Sequence, residues 1–312
     1  MDSIMASHLR RSEAATSGLR RLLFQQLDDS RRLLASPPLD DEAIHALRRN
    51  LKQCRALLLL LRPALGKVAC RRESASIDAV AREFGPLRDR RVLHDTVEAL
   101  ATRSGDPVFD AFAAAIRREA DQGASELPDR LARVGRFRLA RCRVRLRRLR
   151  LARRNWSVLG PSLRRSYRAA RRERDKARAT GSDEALHAWR RWAKYLWHQL
   201  ELLEGVDADV ARLGNRMHAL TDLLGRYHDL VVLRERVSHS SSLAQDAEGG
   251  ARFLALLHAA LTALRSEAFE AGEPLFAEKP RDYEKRLRIH WRAWRKLRRA
   301  ATPAGRSAPP AP

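Results

Sequence analysis

Two segments of the chain carry a histidine and several cations at the same spacing, about half a chain length apart. Asp41–Lys52 reads DEAIHALRRNLK, and Asp183–Lys194 reads DEALHAWRRWAK. A second set of residues recurs in nearly the same register, as Gly85, Asp89, Val92 and Leu93 and again as Gly225, Asp229, Val232 and Leu233. Within that set, Arg88 stands where the later copy has His228. Two coincidences in one register indicate an internal duplication.

On a helical wheel each repeated segment separates into a basic stripe and an apolar stripe. The basic stripes are His45, Arg48, Lys52 and Arg55 in the first copy and His187, Arg190 and Lys194 in the second. The apolar stripes are Ile44, Leu47, Leu51, Cys54 and Leu58, and Leu186, Trp189, Ala193, Leu196 and Leu200. We therefore expect each helix to pack on one side and to present phosphate-attracting cations on the adjoining side. Acidic residues at Asp40–Glu42, and at Asp183 and Glu184 after Ser182, predict where the two helices begin.

The same segments also contain a spacing that is known from metal sites. Glu42-x-x-His45 and Glu184-x-x-His187 match the Glu-x-x-His pairs of di-iron helical bundles. The neighbouring Arg48, Lys52, Arg190 and Lys194 would repel a divalent cation and attract phosphate, so the metal hypothesis is disfavoured. A Gly-rich phosphate loop, a Gly-x-Ser-x-Gly elbow and a Cys-x-x-Cys pair are all missing from the sequence. A binding role is favoured over catalysis.

A run of 43 residues, Arg130–Arg172, contains many arginines and no acidic residue. On a helix, one face carries Arg138, Arg141, Arg145 and Arg148, the roughly opposite face carries Arg143, Arg147, Arg150 and Arg154, and a narrow apolar strip of Leu139, Cys142, Leu146 and Leu149 lies between them. Either one face lines an internal anion site or the helix is a solvated cationic surface. Like charges four residues apart destabilise a helix, and without an acidic neighbour in the run a bound polyanion is the expected compensation.

The composition restricts the partners of the chain. It has 312 residues and a formal net charge of +24, which predicts nucleic acid, inorganic polyphosphate or anionic lipid as a partner. Of seven lysines, two occupy equivalent repeat positions, Lys52 and Lys194. The three widely spaced cysteines indicate neither a disulfide framework nor a zinc site. The longest apolar run, 57–61, is too short for a membrane span, and we expect a soluble protein of the reducing cytosol.

Helical periodicity without alternating β-branched runs predicts an all-α fold of long amphipathic helices. The predicted helices are 6–35, 40–62, 67–83, 88–103, 106–121, 128–155, 160–179, 183–204, 207–224, 228–239, 248–271 and 280–300. The breakers that separate them include Pro37-Pro38, Gly66, Gly85-Pro86, Gly105–Pro107, Gly160-Pro161, Gly181, Gly249-Gly250 and Pro274. We expect one domain over 7–298, with related halves at 7–158 and 159–298, a mobile loop near 239–250 and a disordered tail at 299–312.

These paired motifs resemble the CHAD family, the conserved histidine α-helical domain found alone or behind a triphosphate-tunnel domain. The first histidine helix, the second one, the two glycine-aspartate turns at Phe84–Asp89 and Leu224–Asp229, and Tyr167–Arg171 between the halves are similar to the family's segments. The resemblance covers roughly 7–298 and implies two pseudo-symmetric antiparallel four-helix bundles around a basic central groove that binds inorganic polyphosphate. It also implies association with polyphosphate granules. The chain departs from the family at Gln53, at Arg88 and at Trp197-His198.

The sequence thus predicts a stand-alone, non-catalytic polyphosphate-binding protein without a cofactor or metal. The candidate polyphosphate-binding residues are His45, Arg48, Arg49, Lys52, Arg55, Arg88, Arg138, Arg141, Arg145, Arg148, His187, Arg190, Arg191, Lys194 and His228. Nucleic acid is the alternative partner, because positive charge alone does not distinguish one phosphate chain from another. Membrane insertion is not expected, and the sequence indicates no protein partner.

Overall fold

The chain is helical throughout the part that the computed structural model describes, which is residues 8–35, 39–104, 112, 114, 129–151, 155–239 and 247–300. We number the helices α1 Ala15–Leu33, α2 Asp41–Leu65, α3 Lys67–Glu83, α4 Gly85–Ser104, α5 Asp129–Arg148, α6 Trp156–Thr180, α7 Asp183–Glu201, α8 Ala208–His239, α9 Ala247–Leu275 and α10 Pro280–Ala300, with a 3₁₀ turn at Glu204–Val206. The described residues contain no strand, which confirms the all-α prediction. None of the described helices is long and apolar enough to cross a bilayer.

The two repeated segments, α2 and α7, begin at the predicted acidic turns. The side chain of Asp40 accepts a hydrogen bond from the backbone nitrogen of Ala43 at 2.7 Å, and Ser182 accepts one from Ala185 at 3.3 Å. Each cap satisfies a backbone donor at a helix start and contributes about 1 kcal/mol. Gly181 follows α6 with φ of 63°, a left-handed conformation that glycine adopts without a steric penalty.

Several predicted breakers lie inside helices and do not form turns. A Cβ at Gly160 would lie 2.4 Å from Nε1 of Trp156 and 2.6 Å from Oε1 of Glu284, so close packing explains this glycine within α6. Gly225 lies in the interior of α8, and the two helices predicted over 207–239 are one. Gly249-Gly250 and Pro274 belong to α9.

Other predicted helix boundaries also differ from those in the structure. The helix predicted from residue 6 begins at Ala15, and the basic helix predicted to reach 155 ends at Arg148. Because α6 starts at Trp156, the expected boundary between the halves at 158/159 falls in its first turn. The predicted helix 106–121 lies outside the described residues except at positions 112 and 114, as do most of the predicted loop and residues 301–312 of the tail.

Most of the helix contacts recur in the two halves: the pairs α1–α2, α1–α5 and α2–α3 correspond to α6–α7, α6–α10 and α7–α8. In the first half α1 packs against α2 and α5, and α3 packs against α2 and α5. In the second half α6 packs against α7 and α10, and α8 packs against α7 and α9. The apolar stripes of α2 and α7 are buried, and residues from both halves join in a single hydrophobic core. The helices α2, α4 and α6 also make contacts across the halves, with α7, α8 and α2 respectively.

Acidic residues of α1 and α3 neutralise part of the arginine-rich helix α5. Arg145 binds the fully buried carboxylate of Glu73 through two hydrogen bonds, Nε to Oε1 at 2.9 Å and Nη2 to Oε2 at 2.6 Å. Arg138 pairs with Glu83, and Arg143 with Asp28. The expectation that only a bound polyanion compensates this helix is therefore wrong, because the acids are distant in sequence and adjacent in the fold.

The Glu73–Arg145 pair is expected to stabilise the fold in a pH-dependent way. Burial alone would raise the pKa of Glu73, but hydrogen bonds from Arg145, Arg72 and Cys142 outweigh it and hold that pKa below the ordinary value. Glu73→Gln should lower the free energy of unfolding at pH 7 by about 2–3 kcal/mol, because it leaves arginine charge without its partner. Because the pKa of Glu73 is depressed in the folded protein, the destabilisation caused by the substitution should become smaller as the pH falls through that pKa. Urea unfolding at pH 7 and near pH 3 measures this change.

The exposed Glu267→Gln variant is the control and should leave the unfolding free energy within about 0.5 kcal/mol of that of the wild type. An equal effect of the two substitutions at pH 7 would contradict a structural role for the buried pair.

Candidate functional site

The site is built where α2 and α7 cross in opposite directions. Gln53 hydrogen-bonds to Glu201, and the Arg55 guanidinium lies 5.0 Å from the ring centroid of Tyr195. Two turns later in α2, Arg62 lines the same cavity as Trp192. Later residues of α2 thus meet earlier residues of α7, which is the antiparallel arrangement that a pseudo-twofold relation between the two copies requires. The apolar stripes face inward, so the basic stripes lie along the rim of the crossing.

Lys52 and Lys194, the two equivalent lysines, converge on one buried imidazole. His198 is 2% exposed, and its Nδ1 lies 3.1 Å from Oε2 of Glu201. Burial lowers the pKa of His198, Glu201 opposes the shift, and the positive charges of Lys194 and Lys52 add to it. The ammonium groups of both lysines therefore lower the pKa of the same imidazole. The Nζ of Lys194 also lies 5.7 Å from the ring centroid of Trp197.

A second cationic cluster lies beside the first and surrounds a single carboxylate. Arg55 Nη1 is 2.7 Å from Oδ1 of Asp78. Burial raises the pKa of Asp78, while the charges of Arg55, Arg82 and Arg191 oppose that rise. Three guanidinium groups acting on one carboxylate leave an excess of two positive charges at this end of the crossing.

Arg48 and Arg190, at equivalent positions of the two copies, each lie beside the glycine of the second repeated motif, Gly85 at the start of α4 and Gly225 inside α8. Nη1 of Arg48 donates to the carbonyl oxygen of Phe84 at 3.4 Å and lies 3.7 Å from the position of a Cβ on Gly85. In the second half the Arg190 guanidinium lies 3.8 Å from the point where a Cβ on Gly225 would be. Each arginine therefore lies beside the glycine of its own copy, at an ordinary van der Waals distance that a Cβ would also satisfy.

His187 lies against His228, and the two rings form a proton-sharing pair. Their Nδ1 atoms are 3.3 Å apart and their ring centroids 4.6 Å apart. A hydrogen bond at this distance requires one ring to donate and the other to accept. Burial, and then the charges of Arg190 and Arg191, lower the pKa of His187. The positive charges around His187 therefore favour its neutral form until an anion offsets them.

The environment of His45 differs from that of its repeat partner. His45 is exposed, as His187 is, but it lines a cavity of about 660 Å³. The charged residues around this cavity are Asp41, Glu42, Asp95, Arg226 and Asp229. His45 therefore faces four carboxylates and one guanidinium, a less favourable setting for phosphate than that of His187. The side chain of Arg88, which replaces the second histidine here, lies outside the described part of the structure.

The arginines of α5 belong to a different surface. The helix packs against α1 and α3, and Arg138, Arg141 and Arg145 line a cavity of about 770 Å³ with α3. Arg138 and Arg145 are held by glutamates, whereas Arg141 and Arg148 are exposed. Arg49 is also exposed, on α2. The structure thus brings together the candidate residues of α2, α7 and α8, and places the arginines of α5 on a separate face.

Two positions that sequence reasoning missed lie at the centre of the site, His198 and Asp78. His198 was noted only as a departure from the family pattern, and Asp78 belongs to a helix without a repeated motif. The metal alternative finds no support at the histidine helices. Among the described residues, the two groupings of potential metal ligands are His94, Asp95 and Glu98, and Asp207, Asp209 and His290. Neither includes His45 or His187.

The convergence of the two lysines can be tested without a ligand. We expect His198 to titrate below the ordinary histidine pKa, and either Lys52→Met or Lys194→Met to raise that pKa, because each removes a nearby positive charge. Nuclear magnetic resonance of the imidazole nitrogens measures both shifts. Lys67→Met, at the start of α3, is the matched control and should leave the titration of His198 unchanged. A lysine variant at 52 or 194 that behaves like this control would disprove the convergence.

The chain is similar to proteins of one family. The family model for the CHAD domain matches residues 18–238. A crystal structure of the CHAD domain from the plant Ricinus communis is similar to the chain, with a TM-score of 0.48 and 20% sequence identity over 92% of this chain and 95% of that one. No curated protein matches the sequence. The family match spans the whole region of the duplication, from α1 to the end of α8, and the chain belongs to the CHAD family.

Proposed function

We propose that the chain binds inorganic polyphosphate along the crossing of α2 and α7, without catalysing a reaction on it. The observation that carries the proposal is the convergence of Lys52 and Lys194, equivalent in the repeat, on one buried histidine. Both lysines add positive charge near that histidine, and positive charge on a protein surface favours an anion as the ligand. A chain of phosphates supplies one negative charge at each step along the crossing.

The two kinds of cation suit different parts of such a ligand. Lysine ammonium groups act as compact point charges, whereas the arginine fork binds two phosphate oxygens at once. Lys52 and Lys194 would hold one segment of the chain, and Arg55 with Arg191 would hold the next. The His187–His228 pair, once protonated, would add donors near the start of α7. The proposal extends to polyphosphate granules, where this polymer accumulates.

The charges near the crossing favour binding over catalysis. Phosphoryl transfer usually needs carboxylates that hold a divalent metal ion beside the phosphates. Of the described carboxylates that act on the cationic clusters, Asp78 is paired with Arg55, and Glu201 is hydrogen-bonded to His198 and Gln53. Each of these two carboxylates thus already interacts with a protein group. Nucleic acid is the competing ligand, since it offers the same phosphate charge.

Charge reversal at the two lysines tests the proposed surface. Lys52→Glu/Lys194→Glu should weaken the binding of long polyphosphate on the order of a hundredfold, because two charge-assisted contacts are lost. Arg136→Glu/Arg147→Glu is the matched control, since it makes the same change in net charge at two exposed positions of α5. Isothermal titration at two salt concentrations measures both variants, and the affinity of the wild type should fall steeply with salt.

Equal losses in the two double variants would indicate a diffuse cationic surface and contradict the proposal. Competition with duplex DNA and RNA at physiological salt distinguishes the alternative ligand. If either nucleic acid displaces polyphosphate at a lower concentration of phosphate groups, the chain is a nucleic-acid-binding protein.

The histidines predict a pH dependence of binding. A bound polyanion offsets the charges that lower the pKa of His187, so that pKa rises and protons are taken up. Affinity should therefore increase as the pH falls from about 8 to about 6. His45→Gln/His187→Gln should remain folded, bind somewhat more weakly and lose most of this dependence. Calorimetry in buffers of different ionisation enthalpy counts the protons directly.

The single variants separate the two environments. His187→Gln should remove more of the proton uptake than His45→Gln, because carboxylates surround the cavity beside His45. If the double variant keeps the full pH dependence of the wild type, these histidines have only a structural role.

A further inference from the structure

A second basic cavity lies beyond the end of the crossing, away from the repeated histidines. It measures about 640 Å³ and is lined by the end of α2, the start of α3, one face of α6 and a side chain of α7. Its cationic residues are Arg62, Lys67, Arg164, Arg165, Arg168 and Arg172. We call this cavity the α6 groove. Three different helices contribute its cations, whereas a solvated basic stripe would lie along one helix.

The geometry of α6 places a row of guanidinium groups along one wall. Arg165, Arg168 and Arg172 are spaced at three and four residues, so they lie within an arc of about 60° and extend about 10 Å along the helix axis. Arg62 and Lys67 lie on the other wall, at the corner between α2 and α3. The row of arginines is therefore long enough to contact an extended anion along one side. Arg62 and Lys67 add positive charge on the opposite wall.

Most of this charge is not neutralised within the protein. Arg164 pairs with Glu284 at 2.9 Å, and Arg172 pairs with Glu173 at 2.6 Å. In the part of the chain that the structure describes, the other four cations of the groove, Arg62, Lys67, Arg165 and Arg168, form no ion pair. The groove thus retains an excess of four positive charges, in contrast to α5, where glutamates hold two of the arginines that line the cavity.

The remaining lining leaves room for a ligand. Ser162 and Ala169 are small, Pro63 and Pro161 have no backbone donor, and Trp192 is half-buried, with its ring edge-on to Tyr195 at 5.8 Å. Tyr195 in turn lies beneath Arg55 of the crossing. An aromatic pair therefore joins the groove to the cationic cluster around Asp78.

Arg62 also connects the groove to the proposed polyphosphate surface. Arg48, Arg55 and Arg62 are seven residues apart and lie on the same face of α2, over about 21 Å. We propose that the α6 groove is a second anion site, which binds a linear run of phosphates beyond the α2–α7 crossing. The ligand is either a further segment of the polyphosphate chain or the triphosphate of a nucleotide. As an extension of polyphosphate binding, the proposal rests on the proposed function.

The test uses the full chain and inorganic tripolyphosphate, which is long enough for the groove and too short to reach along the crossing as well. Arg165→Glu/Arg168→Glu should weaken tripolyphosphate binding on the order of a hundredfold, because two charge-assisted contacts are removed. Both side chains are exposed, so circular dichroism and thermal unfolding should show an intact fold. Arg136→Glu/Arg147→Glu again controls for net charge.

The lysine variant separates this proposal from the proposed function. Lys52→Glu/Lys194→Glu should keep most of the tripolyphosphate affinity and lose most of the affinity for long polyphosphate. If tripolyphosphate binding is lost in the lysine variant and kept in the groove variant, the second site is wrong and the crossing alone binds phosphate. If long polyphosphate does not bind the wild type while tripolyphosphate binds in the groove, the proposed function fails and the groove remains.

Adenosine triphosphate distinguishes the two sources of the ligand. If it binds more tightly than tripolyphosphate, the base contacts the groove, beside Trp192, and the ligand is a nucleotide. If tripolyphosphate binds as tightly or more tightly, the phosphates alone are recognised and the groove continues the polyphosphate site. A wild-type protein that binds neither compound overturns the second site.

Discussion

The burial of two apolar stripes against each other at the crossing of α2 and α7 determines where the charged side chains go. Each apolar stripe adjoins a row of cationic side chains. Burying the apolar stripes of both helices therefore places both cationic rows along the same edge of the crossing. The antiparallel direction then brings Lys52 next to the end of α7 and Lys194 next to the middle of α2. Hydrophobic packing therefore stabilises an arrangement that electrostatics alone would oppose, and the buried His198 stays neutral beneath it.

The positively charged side chains lie in two different kinds of environment. On α5, Glu73 and Glu83 hold Arg145 and Arg138, so these charges strengthen the packing of helices and cost little. Around the crossing the acids are fewer than the cations, with Asp78 alone among Arg55, Arg82 and Arg191. A net charge of +24 is therefore unevenly distributed. The surfaces where protein carboxylates are scarce are those where an external anion gains most on binding.

The sequence predicted correctly the features that depend on interactions between residues close together in the chain. Helical periodicity and the acidic turns before α2 and α7 were sufficient for the fold class and for the starts of both repeated helices. The predictions failed where a distant residue decides the outcome. Gly160 and Gly225 were interpreted as breaks, but both lie inside helices, and at Gly160 a Cβ would collide with Trp156 and with Glu284 from elsewhere in the fold. The partners of the α5 arginines and the position of His198 depend on the same long-range packing, which spacing along the chain does not encode.

The shared core has a consequence for the duplication itself. Because residues of both halves form one continuous apolar cluster, neither half has a complete interior of its own. A single repeat would expose its apolar stripe to water, and the partner best shaped to cover it would be a second copy related by a twofold axis. Joining the two repeats in one chain converts that association into an intramolecular step that no longer depends on protein concentration. Equivalent positions of the two halves are then free to differ, as Arg88 and His228 do.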